Sequence, residues 1–296
     1  MTDRIFDLSE EPARLSVRHG QLVIQRGEAD EITVPLQEVA TLMVGHPQVT
    51  FTQAVVARLA EAGGVLVVCD GRRMPAAMML PLDHHSTQAE RFDLQAEAPQ
   101  PLRKRLWQQI VAAKVNSQAR VLEDFYGNDQ GLLVLAEKVR SGDPDNIEGQ
   151  AARRYWQALF ADPKFTRNRD AEDQNRLLNY GYGVLRALVS RAICGAGLHP
   201  SFGLHHHNRY DAFRLADDLM EPLRPKVDRA VVERVRALGA HVPLDKESKQ
   251  FLVSALMERL TLNNESRTLF DVSARMASSL ADVFAGKRKD LLLPEL

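Results

Sequence analysis

Cysteine is nearly absent from this sequence: Cys69 and Cys194 are the only two in 296 residues. That count excludes a thiolate-only zinc site and gives no basis for a disulfide framework, so both thiols read as small buried apolar residues. Long apolar runs are missing as well. No stretch approaches the roughly 20 apolar residues that a bilayer-spanning helix needs. The opening MTDRIFDLSEEPARL is too acidic for a secretory signal, and a cytoplasmic protein without a membrane partner is expected. Internal repeats, low-complexity tracts and a glycine-rich phosphate loop are also lacking.

What is present is an asymmetry hidden beneath a net charge of −1. Residues 1–100 carry 8 Lys/Arg against 14 Asp/Glu, whereas the remainder carries 30 against 25. The second segment is the better candidate for contact with a polyanion. Hydrophobic patterning divides the chain at nearly the same place. From Leu15 to Val68, short β-branched runs separated by HGQ, RGEADE, GHPQ and AGG predict about six strands, with one helix over Thr52–Ala62. Residues 76–100, rich in proline and small polar groups, read as a linker. Beyond Pro101 the period becomes helical. Leu102, Leu106, Trp107, Ile110 and Val111 form a stripe, with Arg103, Lys104 and Lys114 set mostly off it, and similar patterns span 130–140, 145–161, 174–195, 211–222, 228–238, 246–261 and 265–286. The expected class is α+β: a small β-sandwich-like domain (1–75), the linker, and a larger all-α domain (101–296).

One carboxylate stands out on the helix opened by DPDNIEGQAARRYWQALFAD. Projected at about 100° per residue, Glu148 falls amid Ala151, Tyr155 and Leu159, on the apolar arc. A buried carboxylate needs a partner, a proton or a metal. The alternative is a capping box, because Asp145-x-x-Glu148 has the required spacing. Asp218 and Glu221 share another helix face at i, i+3, a pattern that a metal site and a solvated face produce equally well.

Four of nine histidines lie in GLHPSFGLHHHN, residues 197–208. Three consecutive imidazoles on an extended segment alternate sides, so at most two of His205, His206 and His207 face one ion; His199 reads as a loop residue. One histidine with two or three carboxylates makes a mixed nitrogen and oxygen site, suited to Mg²⁺ or Mn²⁺ on phosphate oxygens.

The order of these motifs resembles a known family. EGQAARRYW, NRLLNYGYGVL, GLHPSFGLHHHN and DLMEPLRP are similar to successive signatures of the CRISPR-associated integrases, the Cas-one proteins, and the doubled histidine followed by Asn resembles the type II subgroup. The resemblance implies a metal-binding and catalytic trio of Glu148, His205 and Glu221, with Asp218 and His206 secondary. It implies insertion of short DNA fragments into a CRISPR repeat by 3′-hydroxyl attack on a phosphodiester, together with endonuclease activity. It further implies a homodimer contacting through the β domain, a Cas-two partner, a Cas-nine setting, and double-stranded DNA as ligand. Arg103, Lys104, Arg105, Arg153, Arg154, Arg186, Arg209, Arg224 and Lys226 are the candidate phosphate contacts. A DNA-binding scaffold with an inactive site and a metallophosphohydrolase acting on small nucleotides are the competing readings.

Overall fold

The β-branched runs fold as strands because each is short, apolar on at least one face and bounded by turn residues. The computed structural model describes residues 4–27, 30–71, 75–81, 85–168, 170–239 and 241–295. Its amino-terminal strands are β1 (Arg4–Leu8), β2 (Arg14–Arg18), β3 (Gln21–Arg26), β4 (Asp30–Pro35), β5 (Val39–Val44), β6 (Thr50–Phe51), β7 (Val65–Cys69) and β8 (Pro75–Met79). They make two four-stranded sheets, ordered β1-β5-β7-β8 and β4-β3-β2-β6. Leu15, Leu22, Ile24 and Val34 of one sheet meet Leu42, Val44 and Leu66 of the other, joined by Val55 and Leu59 of α1 (Gln53–Glu61). This is the expected sandwich. Period-two alternation sends Met43, Val65 and Val67 the opposite way, into the helical core. The β5-β7 layer is thus buried on both faces.

The helical unit comprises α3 (Gln100–Tyr126), α4 (Leu132–Ala136), α5 (Ile147–Leu159), α6 (Asn175–Gly195), α7 (Arg214–Met220), α8 (Arg224–Leu238), α9 (Lys246–Met257) and α10 (Leu269–Phe284), with a single 3₁₀ turn, Glu221–Leu223, between α7 and α8. No described helix is long and apolar enough to cross a membrane. Two expectations need correction. Residues 76–100 are more than a linker, since β8 runs to Met79 and α2 (Gln88–Glu97) fills the later part. Buried Gln95 of α2 donates to the carbonyls of His199 (2.9 Å) and Phe202 (3.2 Å) and accepts from the His199 amide, bracing the histidine loop. The helices expected over 246–261 and 265–286 give way at their junction to a hairpin, β9 (Leu260–Leu262) and β10 (Glu265–Arg267). Asn263 and Asn264 both take positive φ, 51° and 61°, as the two-residue turn requires.

Gly181 sets the spacing of α6 against α8. A Cβ built there would overlap Val227 Cγ1. Gly181→Ala gains about 1 kcal/mol of helix propensity, but overpacking costs about 1–3 kcal/mol, and α8 cannot retreat without moving Glu221 and Arg224. Urea unfolding is expected to show a net loss of stability for Gly181→Ala, partly restored by adding Val227→Ala; a gain in the single variant would show that this contact is not tight.

Candidate active site

Glu148 is free for a site role because other residues cap its helix. Asp143 accepts from the Ile147 amide (2.8 Å) and the Glu148 amide (3.0 Å), while the Asn146 side chain accepts from Gly149 (3.1 Å). Three of the orphan donors at the start of α5 are thereby satisfied. Asp145 instead forms a forked pair with Arg140. The capping-box alternative for Glu148 is therefore not what the structure adopts.

The Glu148 carboxylate turns to Lys114 of α3, with Nζ 2.6 Å from Oε1. The same ammonium lies 2.5 Å from Oε2 of Glu221. Arg224 Nη1 donates to the other Glu221 oxygen at 2.6 Å. Glu221 is 2% exposed and Asp218 is fully buried, so the solvated-face alternative is set aside as well. Burial would raise the Glu221 carboxyl, yet Arg224 and Lys114 overcome it and hold the value down at about 2. Burial likewise opposes the Lys114 charge, and the two glutamates outweigh it. Removing one member of such a buried pair typically costs about 3–5 kcal/mol, because the other charge is left bare.

The histidine segment is shaped by Asp218. Its Oδ2 accepts from the amides of Leu204 (2.6 Å) and His205 (3.1 Å), and its Oδ1 from the amide of His206 (3.2 Å) and His206 Nδ1 (2.5 Å). Gly203 permits this close wrap, since a Cβ there would lie 2.9 Å from both Arg214 Cβ and the His206 carbonyl oxygen. So held, the His205 ring stacks on buried Trp107, with centroids 4.2 Å apart and planes within 1°. Burial lowers the affinity of His205 for a proton, and the hydrogen bond to Asp218 raises that of His206. His199 is the loop residue expected, and His207 is exposed.

Two glutamate oxygens converging on one cation fit a divalent ion by chemistry: they are hard donors already arranged around positive charge. Among the described residues, no three His, Cys, Asp or Glu side chains stand together as a complete metal cage. His205 and Glu148 interact through their fields, while Glu148 and Glu221 are joined through Lys114. Lys114 is the residue that the sequence reading missed. At about 100° per residue it lies two turns beyond Trp107 on the same face, so the argument applied to Glu148 also demands a partner for it.

Tyrosines complete the surroundings. Arg224 lies over the Tyr182 ring, 4.2 Å from its centroid, and Tyr182 donates to Asp228. Tyr155 of α5 donates to the other Asp228 oxygen at 3.0 Å. Of the nine cations expected to meet phosphates, three are paired with carboxylates: Arg186 in a forked pair with Asp217, Arg224 with Glu221, and Lys226, 7% exposed, near Glu258. Arg103 donates to the carbonyls of Gln95 and Ala96. Lys104, Arg105, Arg153, Arg154 and Arg209 are exposed.

The same fold recurs in solved structures. A casposase bound to its integration product matches with a TM-score of 0.80 at 19% identity, over 97% of this chain and 92% of that one. A Cas6-RT-Cas1–Cas2 complex matches with a TM-score of 0.77 at 17% identity, over 100% of this chain and 36% of that one. These likenesses define the architecture, a strand-rich unit followed by a helical one. The family profile "CRISPR associated protein Cas1" matches residues 8–240. CRISPR-associated endonuclease Cas1 of Neisseria meningitidis serogroup C (strain 8013) is 37% identical over 293 residues, 98% of this chain and 95% of that protein. The chain belongs to the Cas1 family of CRISPR-associated endonucleases.

Asp228 gives this network a pH signature. Burial pushes its carboxyl from 3.8 up to about 6, against the pull of Tyr182, Arg224 and Tyr155. A carboxyl raised in the folded state binds more protons folded than unfolded between those values, so its contribution to stability falls as pH rises through that window. Asp228→Asn is expected to remove this slope, gaining roughly 1–3 kcal/mol on wild type between pH 4 and pH 7. Urea midpoints across that range check it, and parallel pH profiles for the two proteins would count against it.

Proposed function

We propose that the chain is a Mg²⁺- or Mn²⁺-dependent strand-transfer enzyme and endonuclease that inserts short DNA fragments into a CRISPR array. The observation that carries this reading is the convergence of the Glu148 and Glu221 carboxylates on one cation beside a platform-held His205. Glu148 and Glu221 would hold the ion through oxygen and His205 through a ring nitrogen, whose protonation partial burial against Trp107 disfavours. When bound, such an ion polarises a phosphoryl oxygen and offsets charge developing on the attacking and leaving oxygens.

In the reaction, a fragment's 3′-hydroxyl oxygen bonds to a phosphorus of the repeat as the bond from that phosphorus to its own 3′-oxygen breaks. The count of phosphodiesters is unchanged, so no nucleotide need be hydrolysed. Trp107 fixes the plane of His205, and Asp218 fixes the loop. His206, held by Asp218 through Nδ1, keeps its second ring nitrogen for a substrate proton. Lys104, Arg105, Arg153, Arg154 and Arg209, with Arg103, are the proposed phosphate contacts, acting on the duplex backbone rather than on base identity.

A Cas2 partner is supported by the likeness to the Cas6-RT-Cas1–Cas2 complex. Ile32, Phe51 and Val68, large apolar residues exposed on the β sandwich, support homodimer contact through that domain. A type II setting alongside Cas-nine, in the cytoplasm, completes the proposal.

Glu148→Gln, His205→Ala and Glu221→Gln should each abolish Mg²⁺- or Mn²⁺-dependent joining of a labelled fragment to supercoiled repeat DNA with Cas2 supplied, with circular dichroism unchanged. Full joining by any variant would remove that residue from the site. DNA affinity should drop steeply with salt in proportion to the phosphates contacted; a flat response would favour a small nucleotide substrate. Wild-type protein that binds DNA yet joins nothing under these conditions would be a scaffold.

A further inference from the structure

We propose that Lys114 is a built-in counter-cation, which pairs with both carboxylates that would hold a divalent ion and sets how tightly that ion binds. This rests on the reading of Glu148 and Glu221 as metal-holding residues. Lys114 Nζ stands 2.6 Å from Glu148 Oε1 and 2.5 Å from Glu221 Oε2, so one ammonium bridges carboxylates from α5 and from the turn after α7. Arg224 reaches Glu221 alone in the ion pairs found among the described residues. The position between the two carboxylates therefore belongs to Lys114.

Charge counting then sets the consequence. Lys114, Arg224, Glu148 and Glu221 sum to zero, so the group is balanced without metal. A divalent ion added to this balanced, largely buried group meets an ammonium already ion-paired with both of its intended donors. Either the ammonium leaves those oxygens, or two cations share them at a Coulombic penalty that is large away from water. Without Lys114 the same group carries one net negative charge, since Arg224 still balances one carboxylate, and the ion enters a site whose net charge attracts it. The lysine cannot simply drift outward: its side chain is 10% exposed, on a helix whose neighbouring Ile110, Val111 and Val115 are also buried.

A purely structural ion pair makes a different prediction. It lowers stability when broken and leaves metal affinity unchanged. The counter-cation role couples the two. Mn²⁺ alone is the probe, titrated into the full-length protein and followed by electron paramagnetic resonance of the free ion, with thermal unfolding measured in EDTA and in Mn²⁺. Lys114→Met and Lys114→Gln should bind Mn²⁺ about tenfold or more tightly than wild type, from relief of charge competition. They should melt lower than wild type in EDTA and gain more from Mn²⁺. Lys114→Arg, which keeps the charge, should stay near wild-type affinity.

Glu148→Gln and Glu221→Gln serve as controls. If they lose Mn²⁺ binding while both neutral Lys114 variants bind no more tightly than wild type, the counter-cation role is overturned and the site reading stands. If Mn²⁺ binding ignores the two glutamate substitutions, the site reading itself fails. Should Lys114→Met fold only with Mn²⁺ present, the ion has replaced the ammonium, as proposed. Failure of both neutral variants to fold even in Mn²⁺ overturns the proposal.

Discussion

A carboxylate withdrawn from water must find positive charge, and in this helical unit two of them share one ammonium. Lys114 lies on α3, Glu148 opens α5, and Glu221 begins the 3₁₀ turn between α7 and α8. Satisfying the three charges therefore fixes how those segments pack. Arg224 extends the demand by taking the second Glu221 oxygen and covering Tyr182, and Tyr182 and Tyr155 meet on Asp228. Helices α3, α5, α6 and α8 are tied into one polar network through an otherwise apolar core. In such a network every member has a partner, and removing any one exposes another.

The acids divide their work in a way that residue type alone does not reveal. Asp218 lies three residues before Glu221 and is more deeply buried, yet its oxygens face backbone amides of the histidine segment. It builds the loop, leaving His205 to lie flat on Trp107. On the far side, Gln95 of α2 holds the start of the same loop through the backbone of His199 and Phe202. The histidine run is thus clamped from two directions by side chains rather than by regular secondary structure.

The sequence exposed the period change from strand to helix, the two-layer β domain and the anomalous Glu148, because each depends on local spacing. What it concealed depends on tertiary choices. Asp145 and Glu148 have capping-box spacing, but Asn146 takes a left-handed conformation with φ of 51° and starts the helix one residue later, which delivers capping to Asp143 and Asn146. Its charge sets Lys114 apart from the apolar stripe of α3, whereas its spacing, two turns beyond Trp107, puts it on the same buried face. Asp218 and Glu221 form a polar strip that water would satisfy equally well; a helix covered on all sides makes them interior. The Asn-Asn turn at 263–264 was within reach, since two residues suited to positive φ commonly join strands.

The order of these parts along the chain has its own consequence. The β sandwich is complete by Met79, Lys114 and Glu148 follow, and Glu221 with its balancing Arg224 arrives more than seventy residues after Glu148. During synthesis from the amino terminus, a nascent chain that has not reached Glu221 holds at most half of the charge network. Stalled or nicked products ending before that point lack one of the two facing carboxylates and the segment that carries it. For a member of a family named for endonuclease activity, the sequence order itself withholds this pair of facing carboxylates until about three quarters of the chain has been made.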